Sequence, residues 1–151
     1  MVDRFRIRAA TKGDLEGVAA IERDVFPDPW PASSFVPLLE HDALVAEISG
    51  QIAGYLFGRS AADEAEVLNL AVLPEYRRAG LGRRLLETVF DRWEARGVAR
   101  VYLEVRASNE GALAFYQALG FWPSAVRRGY YSQPTEDALV LTRSLGSSTP
   151  K

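Results

Sequence analysis

A glycine-containing turn that follows a very apolar segment is the part of this chain best suited to chemistry. Residues 67–73 (VLNLAVL) are almost entirely apolar, and after Pro74 the segment 77–82 (RRAGLG) opens an amphipathic helix. A strand that passes through such a turn into a helix directs several backbone N–H groups and the positive end of the helix dipole to one place. With two arginines leading the turn, the pattern predicts a binding site for the diphosphate of a cofactor.

Other interpretations of this turn compete with that prediction. Nucleotide hydrolysis is disfavoured, because no Gly-Lys-Ser or Gly-Lys-Thr follows the turn. A dinucleotide-binding fingerprint would use Gly80 and Gly82, with Glu104 about 20 residues later as the acid that binds a ribose. Against it, Leu85 stands where the third glycine belongs, and a predicted hairpin precedes the motif where a βαβ unit is required. An ordinary strand-to-helix turn explains the two glycines but not the arginines.

The composition restricts the chemistry further. The chain has 151 residues, a formal net charge of -2, one histidine and no cysteine. The missing cysteine excludes disulfides, thiolate metal sites and a cysteine acyl-enzyme, and we expect no metal. His41 lies in a polar Glu-His-Asp step without a Gly-x-Ser-x-Gly segment to partner it, so we expect a solvated loop residue. Any group transfer must therefore use other side chains.

Charge and hydropathy also bear on partners and location. No basic excess points to nucleic acid, and no apolar run approaches the ~20 residues that a membrane span needs. Residues 1–8 lack the basic and then hydrophobic pattern of a signal peptide. We therefore expect a cytoplasmic protein that binds neither nucleic acid nor membrane.

Hydrophobic periodicity predicts a single domain over residues 1–145 and a loose tail at 146–151. The predicted order is strand 5–10, a helix from a cap at Thr11 or Asp14 to Pro27, a short helix from Ser33 or Ser34 to Leu39, strands 43–48, 52–58 and 66–73, helix 80–96, strand 101–106, a helix from a cap at Ser108 or Asn109 to Gly120, and strands 121–130 and 137–145. This order is typical of an α/β (α+β) fold, with a mixed central sheet of about seven strands flanked by about four helices.

The turn and four further segments resemble the Gcn5-related N-acetyltransferase (GNAT) superfamily. The acetyl-CoA loop of that family has the pattern Arg/Gln-x-x-Gly-x-Gly/Ala after a central strand, which residues 77–82 match position by position. The four segments are similar to the RimI type, the ribosomal-protein alanine N-acetyltransferases, and they are 69–72 (NLAV), 103–109 (LEVRASN), 114–121 (AFYQALGF) and 127–131 (RRGYY). The similarity extends over nearly the whole chain.

The resemblance implies an acetyl-CoA-dependent N-acetyltransferase. Such an enzyme moves an acetyl group directly, in a ternary complex, to the N-terminal α-amine of a protein, here of a small-subunit ribosomal protein. The missing cysteine agrees with direct transfer. Two alternatives stay open, acetylation of lysine side chains or small amines, and a non-catalytic module that binds acetyl-CoA. Departures from the family pattern at Pro31, Gly129 and Ser132 leave the identity of the substrate open.

The resemblance also implies roles for single residues. Glu104 would be the general base for the amine, and Tyr116 the acid for the CoA thiolate, with a solvated strand glutamate and a core tyrosine as the alternatives. An ordinary helix cap is the alternative for Asn109. A backbone N–H near Ala71 or Val72 would stabilise the oxyanion. The cofactor-binding residues would be Leu70, Ala71, Val72, Arg77, Arg78, Ala79, Gly80, Leu81, Gly82, Arg83, Asn109 and Tyr116.

Aromatic residues in loops and at strand ends are expected to hold the peptide, because an apolar ring with a polar tip suits a captured N-terminus. Core packing is the alternative for Phe26. Nearby acidic residues, among them Glu22, either attract an amine or solvate the helix. The substrate-binding residues would be Phe26, Trp30, Tyr130 and Tyr131.

Overall fold

The computed structural model describes residues 5–132 and 134–146. Within them, the strands are β1 (Phe5–Ala9), β2 (Asp42–Ile48), β3 (Gln51–Ala61), β4 (Glu64–Val72), β5 (Arg100–Arg106), β6 (Trp122–Ser132) and β7 (Thr135–Ser144). The α-helices of this part of the chain are α1 (Leu15–Val25), α2 (Leu81–Ala95) and α3 (Glu110–Ala118), and its 3₁₀ segments are Lys12–Asp14, Ala32–Ser34, Val36–Glu40 and Pro74–Ala79. The strands form one seven-stranded sheet in the order β1-β2-β3-β4-β5-β7-β6.

The predicted mixed seven-stranded sheet is confirmed, and one helical region differs in type. Over 33–39 the sequence predicts an α-helix, but the structure has the 3₁₀ segments Ala32–Ser34 and Val36–Glu40. Pro37 accounts for the difference, because proline has no N–H to donate and disfavours the α conformation at the residue before it. His41 is exposed in the bend before β2, as predicted.

The chain divides into two compact units. The first runs up to Arg59 and also contains Val67–Asp91, and the second consists of Ser60–Glu66 and the chain from Arg92 onward. The single domain over 1–145 therefore stays a prediction. Of the predicted tail only Gly146 is described, and residues 147–151 lie outside the described part of the chain. None of the described helices combines the length and apolarity that a membrane span requires.

The core of the first unit lies where α1 packs on aromatic residues. Val18 and Ile21 of α1 are buried at helical spacing. They share one core cluster with Phe35, Tyr55 and Phe57. The ring centroid of Phe35 lies 6.0 Å from that of Tyr55 and 4.8 Å from that of Phe57. This cluster gives rigid support to β3 and to the segment that follows α1.

Helix α2 begins directly after the glycine-containing turn. Its apolar stripe, Leu81, Leu85, Leu86 and Val89, is fully buried. Packing of this stripe fixes the direction of the helix and hence the point at which its first turn presents backbone N–H groups.

Strand β4 has the burial of a central strand. From Glu64 opposite Arg100 to Glu66 opposite Tyr102, it pairs in parallel with β5. Beyond these pairs, none of residues 67–72 is exposed. The prediction of a strand covered on both faces is thus confirmed for this segment.

In the second unit, β7 pairs antiparallel with both β5 and β6. The pairing of β6 with β7 shifts between Arg127, opposite Ala138, and Tyr131, opposite Glu136. Residues 128–130 of β6 therefore oppose the single Asp137, a bulge in which Gly129 has a φ of 61°. The bulge decides which side chains of β6 reach β5.

Candidate active site

The glycine-containing turn of the first unit has the geometry of an anion site. Residues 74–79 form a 3₁₀ segment, Gly80 follows with a φ of 79°, and α2 begins at Leu81. Side chains disfavour that φ, which accounts for the glycine. The backbone N–H of Arg84 donates to the carbonyl of Gly80 at 3.0 Å. Since the earlier N–H groups of a helix have no partner within it, they and the dipole are available to an anion at this turn.

The side chain of Arg77 stabilises the same turn through a hydrogen bond. Its Nε donates to the carbonyl oxygen of Val72 at 3.2 Å, which ties the turn to the end of β4. Leu81 is fully buried, so only its backbone is available to a ligand at this turn. Arg83 pairs with Glu87 at 3.1 Å on the exposed face of α2. The predicted cofactor residues 70–72 and 77–83 thus form one continuous strand end, turn and helix start.

A close approach between β3 and β4 adds a residue that the sequence analysis missed. A Cβ atom at Gly54 would lie 3.0 Å from the carbonyl oxygen of Ala71 and 3.2 Å from Cγ2 of Val72. Glycine therefore lets β3 pass against the segment of β4 that leads into the turn. A glycine inside a strand pattern is the sequence signal for such an approach.

The predicted base, Glu104, belongs to a polar cluster in the second unit. Its side chain is 14% exposed, and Oε2 accepts a hydrogen bond from Nη1 of Arg127. The guanidinium of Arg127 lies over the ring of Tyr130, 4.6 Å from its centroid. Burial and a hydrogen bond to Glu104 raise the pKa of Tyr130. The carboxylate is thus largely shielded from water and held by two side chains of β6.

Tyr131 lies beside this cluster. Burial and the negative charge of Glu104 raise the pKa of Tyr131 to about 12. The guanidinium of Arg106 lies over its ring, 4.5 Å from the centroid, and forms an ion pair with Glu136 at 3.4 Å. The rings of Tyr130 and Tyr131 meet edge to face, with centroids 5.0 Å apart. Tyr131 therefore keeps its proton at neutral pH.

The predicted acid, Tyr116, is buried on α3. Its ring meets Phe115 and Phe121 edge to face, with centroids 5.1 and 5.5 Å away. Burial raises the pKa of Tyr116, and the neighbouring Tyr131 raises it further. The phenol packs as the core alternative requires, and it also holds the proton that an acid must give.

Asn109 caps α3. Its Oδ1 accepts a hydrogen bond from the backbone N–H of Ala112 at 3.1 Å. This is the ordinary capping role considered above. A contact of Asn109 with a cofactor stays a prediction.

The aromatic residues expected to bind peptide lie as two pairs, one in each unit. Tyr130 and Tyr131 lie in the second unit. Phe26 and Trp30 lie in the first unit, half-buried against its core, so the packing alternative describes the contacts of Phe26. The Trp30 ring lies 5.3 Å from that of Phe35. Trp30 also lines a cavity of about 330 Å³ whose other lining residues are Ser34, Leu38, Arg59 and Leu68.

Residues 15–121 of the chain match the Acetyltransferase (GNAT) family. The chain belongs to the GNAT family. The match begins with α1 and includes β4, the glycine-containing turn, β5 and α3. The resemblance drawn from the sequence is thereby confirmed.

Relatives of this GNAT chain cover nearly its whole length. The ribosomal protein bS18-alanine N-acetyltransferase of Escherichia coli is 39% identical over 85% of this chain and 89% of its own. Its crystal structure superposes with a TM-score of 0.87 over 96% of each chain, at 35% identity. The N-alpha-acetyltransferase RimI of Mycobacterium tuberculosis is 39% identical over 93% of this chain and 92% of its own. Naa20 of Chaetomium thermophilum, crystallised with a bisubstrate analogue, has a TM-score of 0.84 and 27% identity over 93% of this chain and 86% of its own.

The sequence analysis did not identify Arg127 as a site residue. It gave Glu22 only as an acidic residue that attracts an amine or solvates the helix, but Glu22 is buried, with 2% of its surface exposed. No periodicity distinguishes Arg127, because the bulge of β6 sets its surroundings. Glu22 did carry a signal, since it occupies the apolar stripe of α1 between Val18 and Val25 at helical spacing. A charged residue in such a stripe is either buried with polar partners or indicates that the buried face of the helix was predicted wrongly.

Proposed function

We propose that this chain transfers an acetyl group from acetyl-CoA to the α-amine of a protein N-terminus, directly and in a ternary complex. Of two relatives at 39% identity, one is named a ribosomal protein bS18-alanine N-acetyltransferase and the other an N-alpha-acetyltransferase, and the Naa20 structure holds a bisubstrate analogue. No cysteine is present to carry an acetyl group. The first substrate to test is the N-terminal alanine of a small-subunit ribosomal protein, by analogy with the Escherichia coli relative.

The shielded cluster around Glu104 is the observation that carries the proposal. An α-amine has a pKa of about 7.7–8.0, against about 10.4 for lysine, so a carboxylate is a sufficient base for it. Glu104 is 14% exposed and is held by Arg127. In the proposed reaction, Glu104 accepts the proton of the substrate ammonium, directly or through water, and the neutral amine then attacks the acetyl carbonyl.

The turn before α2 is the proposed site for the diphosphate of acetyl-CoA. The first N–H groups of α2 and the left-handed Gly80 suit an anion at this point. Arg77, which donates to the carbonyl oxygen of Val72, adds positive charge at this turn, and Arg78 is a further proposed contact of the diphosphate. When bound, acetyl-CoA supplies the activated acetyl thioester.

The remaining roles are assigned to single residues. Backbone N–H groups of Ala71 or Val72, beyond the residues of β4 that pair with β5, would donate to the acetyl carbonyl oxygen. Tyr116, which is protonated at neutral pH because burial raises its pKa, would give its proton to the departing CoA thiolate. Asn109 is a proposed contact of CoA.

Aromatic side chains are the proposed walls for the peptide. The proposed peptide contacts are those expected from the sequence, namely Phe26, Trp30, Tyr130 and Tyr131. The raised pKa of Tyr131 keeps its hydroxyl group protonated and thus able to donate to a peptide carbonyl group. The hydroxyl of Tyr130 already donates to Glu104, so Tyr130 would contact the peptide with its ring.

A panel of amine acceptors tests the proposal. Peptides that begin with alanine or serine, peptides with a blocked N-terminus and a free lysine, and polyamines would each be incubated with the protein and acetyl-CoA. We expect turnover of free N-termini only. Turnover of blocked lysine peptides or polyamines alone would contradict the proposal. Comparing native N-termini in cells with and without the protein would then identify the target.

A further inference from the structure

Glu22 is a buried carboxylate in the first unit that the proposed reaction does not use. It lies on α1 with only 2% of its surface exposed, whereas Arg23 and Asp24, which follow it, are exposed. Removing a carboxylate from water is strongly unfavourable unless hydrogen-bond donors replace the lost water. The partners of Glu22 therefore indicate what this burial achieves.

Three donors from three different segments surround the carboxylate of Glu22. The hydroxyl of Tyr55 on β3 donates to Oε1 at 2.5 Å, and Nδ2 of Asn69 on β4 donates to the same oxygen at 2.8 Å. The backbone N–H of Trp30 donates to Oε2 at 3.0 Å. Burial and the bond to Glu22 raise the pKa of Tyr55, so this donor keeps its proton. Both carboxylate oxygens thus accept hydrogen bonds, Oε1 from two residues of the sheet and Oε2 from the segment after α1.

The segment 26–31 is attached to Glu22 at two points. The backbone N–H of Phe26 donates to the carbonyl oxygen of Glu22 at 3.0 Å, and that of Trp30 donates to its side chain. Every second residue of this segment is a proline without an N–H, namely Pro27, Pro29 and Pro31. Few backbone donors exist to fix the segment, and the bond from Trp30 is one of them.

The two ends of the network lie at positions with proposed roles. Trp30 lines the cavity described above, and the centroid of its ring lies 5.3 Å from that of Phe35. Asn69 immediately precedes residues 70–72, the proposed acetyl-binding segment of β4. Glu22 therefore connects a proposed peptide wall to the strand that would receive the acetyl group.

We propose that Glu22 is a positioning residue for peptide binding. Its carboxylate holds the backbone of Trp30 in fixed relation to Asn69, so the wall for the peptide is formed before substrate arrives. The inference rests on the proposed function, because it assigns Trp30 to the peptide.

The variant Glu22→Gln distinguishes a role of the carboxylate in positioning Trp30 from a role in packing alone. Glutamine keeps the shape, but only one of its two terminal atoms accepts a hydrogen bond, so it cannot accept from Tyr55 and Asn69 on one side and from Trp30 on the other. Keeping the two bonds from Tyr55 and Asn69 sacrifices the bond from Trp30. We expect the KM for an alanine-starting peptide to rise at least about tenfold. The KM for acetyl-CoA should change by less than about twofold.

Tyr55→Phe is the matched control, because it removes a hydrogen bond from the same carboxylate but leaves the one from Trp30. Both variants should lower the melting temperature, while the control should leave the peptide KM within about twofold of the wild type. An unchanged peptide KM in Glu22→Gln, or equal rises of both KM values in both variants, would overturn the proposal.

Amide hydrogen exchange of Trp30 provides a measurement that does not depend on activity. We expect exchange at Trp30 to accelerate at least about tenfold in Glu22→Gln but not in Tyr55→Phe. If the wild type acetylates no peptide while Trp30 behaves as expected, the proposed function fails and the anchoring by Glu22 stands. Undisturbed exchange at Trp30 in Glu22→Gln would reject the anchoring itself.

Discussion

Arg127 donates a hydrogen bond to Glu104 although their strands are not neighbours in the sheet. Strand β7 lies between β5 and β6, with Val140 opposite Glu104 and Ala138 opposite Arg127. The guanidinium of Arg127 therefore reaches across β7 to the carboxylate. The carboxylate of Glu104, the proposed base, thus already forms an ion pair with a cation of the protein itself. The substrate ammonium would compete with Arg127 for the same carboxylate.

Replacing Arg127 by methionine is therefore expected to strengthen peptide binding. Methionine keeps an apolar chain of similar length but removes the competing charge, so the peptide KM should fall severalfold at low ionic strength. Arg127→Lys, which keeps a cation, and Arg128→Met on the bulge are the controls, and both should resemble the wild type. A higher peptide KM in Arg127→Met would mean that Arg127 binds the substrate.

Glu104→Gln tests the base directly. The amide cannot accept the ammonium proton, so kcat should fall about 10²- to 10³-fold in steady-state assays. Acetyl-CoA affinity, measured by calorimetry, should stay within about twofold. Glu64→Gln, on an exposed glutamate that accepts a bond from Tyr102 at 3.2 Å, serves as the control. Full activity of Glu104→Gln would favour a different base or a non-catalytic module.

Tyr116→Phe tests the acid. Removing only the hydroxyl keeps the contacts with Phe115 and Phe121, so stability should change by less than about 1 kcal/mol. The rate constant kcat should nevertheless fall at least about tenfold. Tyr102→Phe removes a hydroxyl elsewhere in the same unit and should leave kcat unchanged. Equal kcat values for Tyr116→Phe and the wild type would restrict Tyr116 to packing.

The double variant Arg77→Ala, Arg78→Ala tests the diphosphate site. Loss of both cations next to the start of α2 should weaken acetyl-CoA binding at least about tenfold, as measured by calorimetry. Arg92→Ala, at the opposite end of α2, should bind acetyl-CoA as the wild type does. Equal weakening by both variants would indicate a nonspecific effect of charge.

The pH dependence follows from the raised pKa values of the tyrosines. The value of kcat/KM should rise towards about pH 8 as the substrate amine loses its proton and then stay level to about pH 10. A decline below pH 10 would mean that a tyrosine ionises earlier than its surroundings indicate.

The raised pKa of Tyr131 also predicts how the stability of the protein depends on pH. Its pKa is raised to about 12 in the folded chain, against about 10 in an unfolded one. The neutral form is thus favoured by folding, and this stabilisation is complete below about pH 10 and is lost as the pH rises through about 12. Melting temperatures between these pH values should therefore decline less steeply in Tyr131→Phe than in the wild type. Parallel curves for the two proteins would contradict this assignment.

Much of the fold was predictable because its signals are local. The stripe of α2 and the alternation along β5 follow from side-chain period alone, and Gly80 marks the turn because few other residues adopt its φ. The 3₁₀ region around Pro37 was misassigned because short apolar spacing does not distinguish 3₁₀ from α geometry.

The surroundings of Glu104 were not predictable, since strand register decides them. In a regular strand Arg127 and Tyr130 would point to opposite faces, yet both contact Glu104 because the bulge at 128–130 intervenes. The Glu22 network likewise joins residues far apart in sequence, Trp30, Tyr55 and Asn69. Glu22 in the apolar stripe of α1 indicated a buried carboxylate with polar partners, but the sequence did not indicate which residues these partners are.

The position of the acetyl group on a product peptide tests the central claim most directly. One peptide with a free N-terminal alanine and one internal lysine would be incubated with the protein and acetyl-CoA, then sequenced by tandem mass spectrometry. The proposed reaction predicts acetylation of the N-terminal fragment, strongly reduced with Glu104→Gln. Acetylation of the lysine alone, or no acetylation with the wild type, would contradict it.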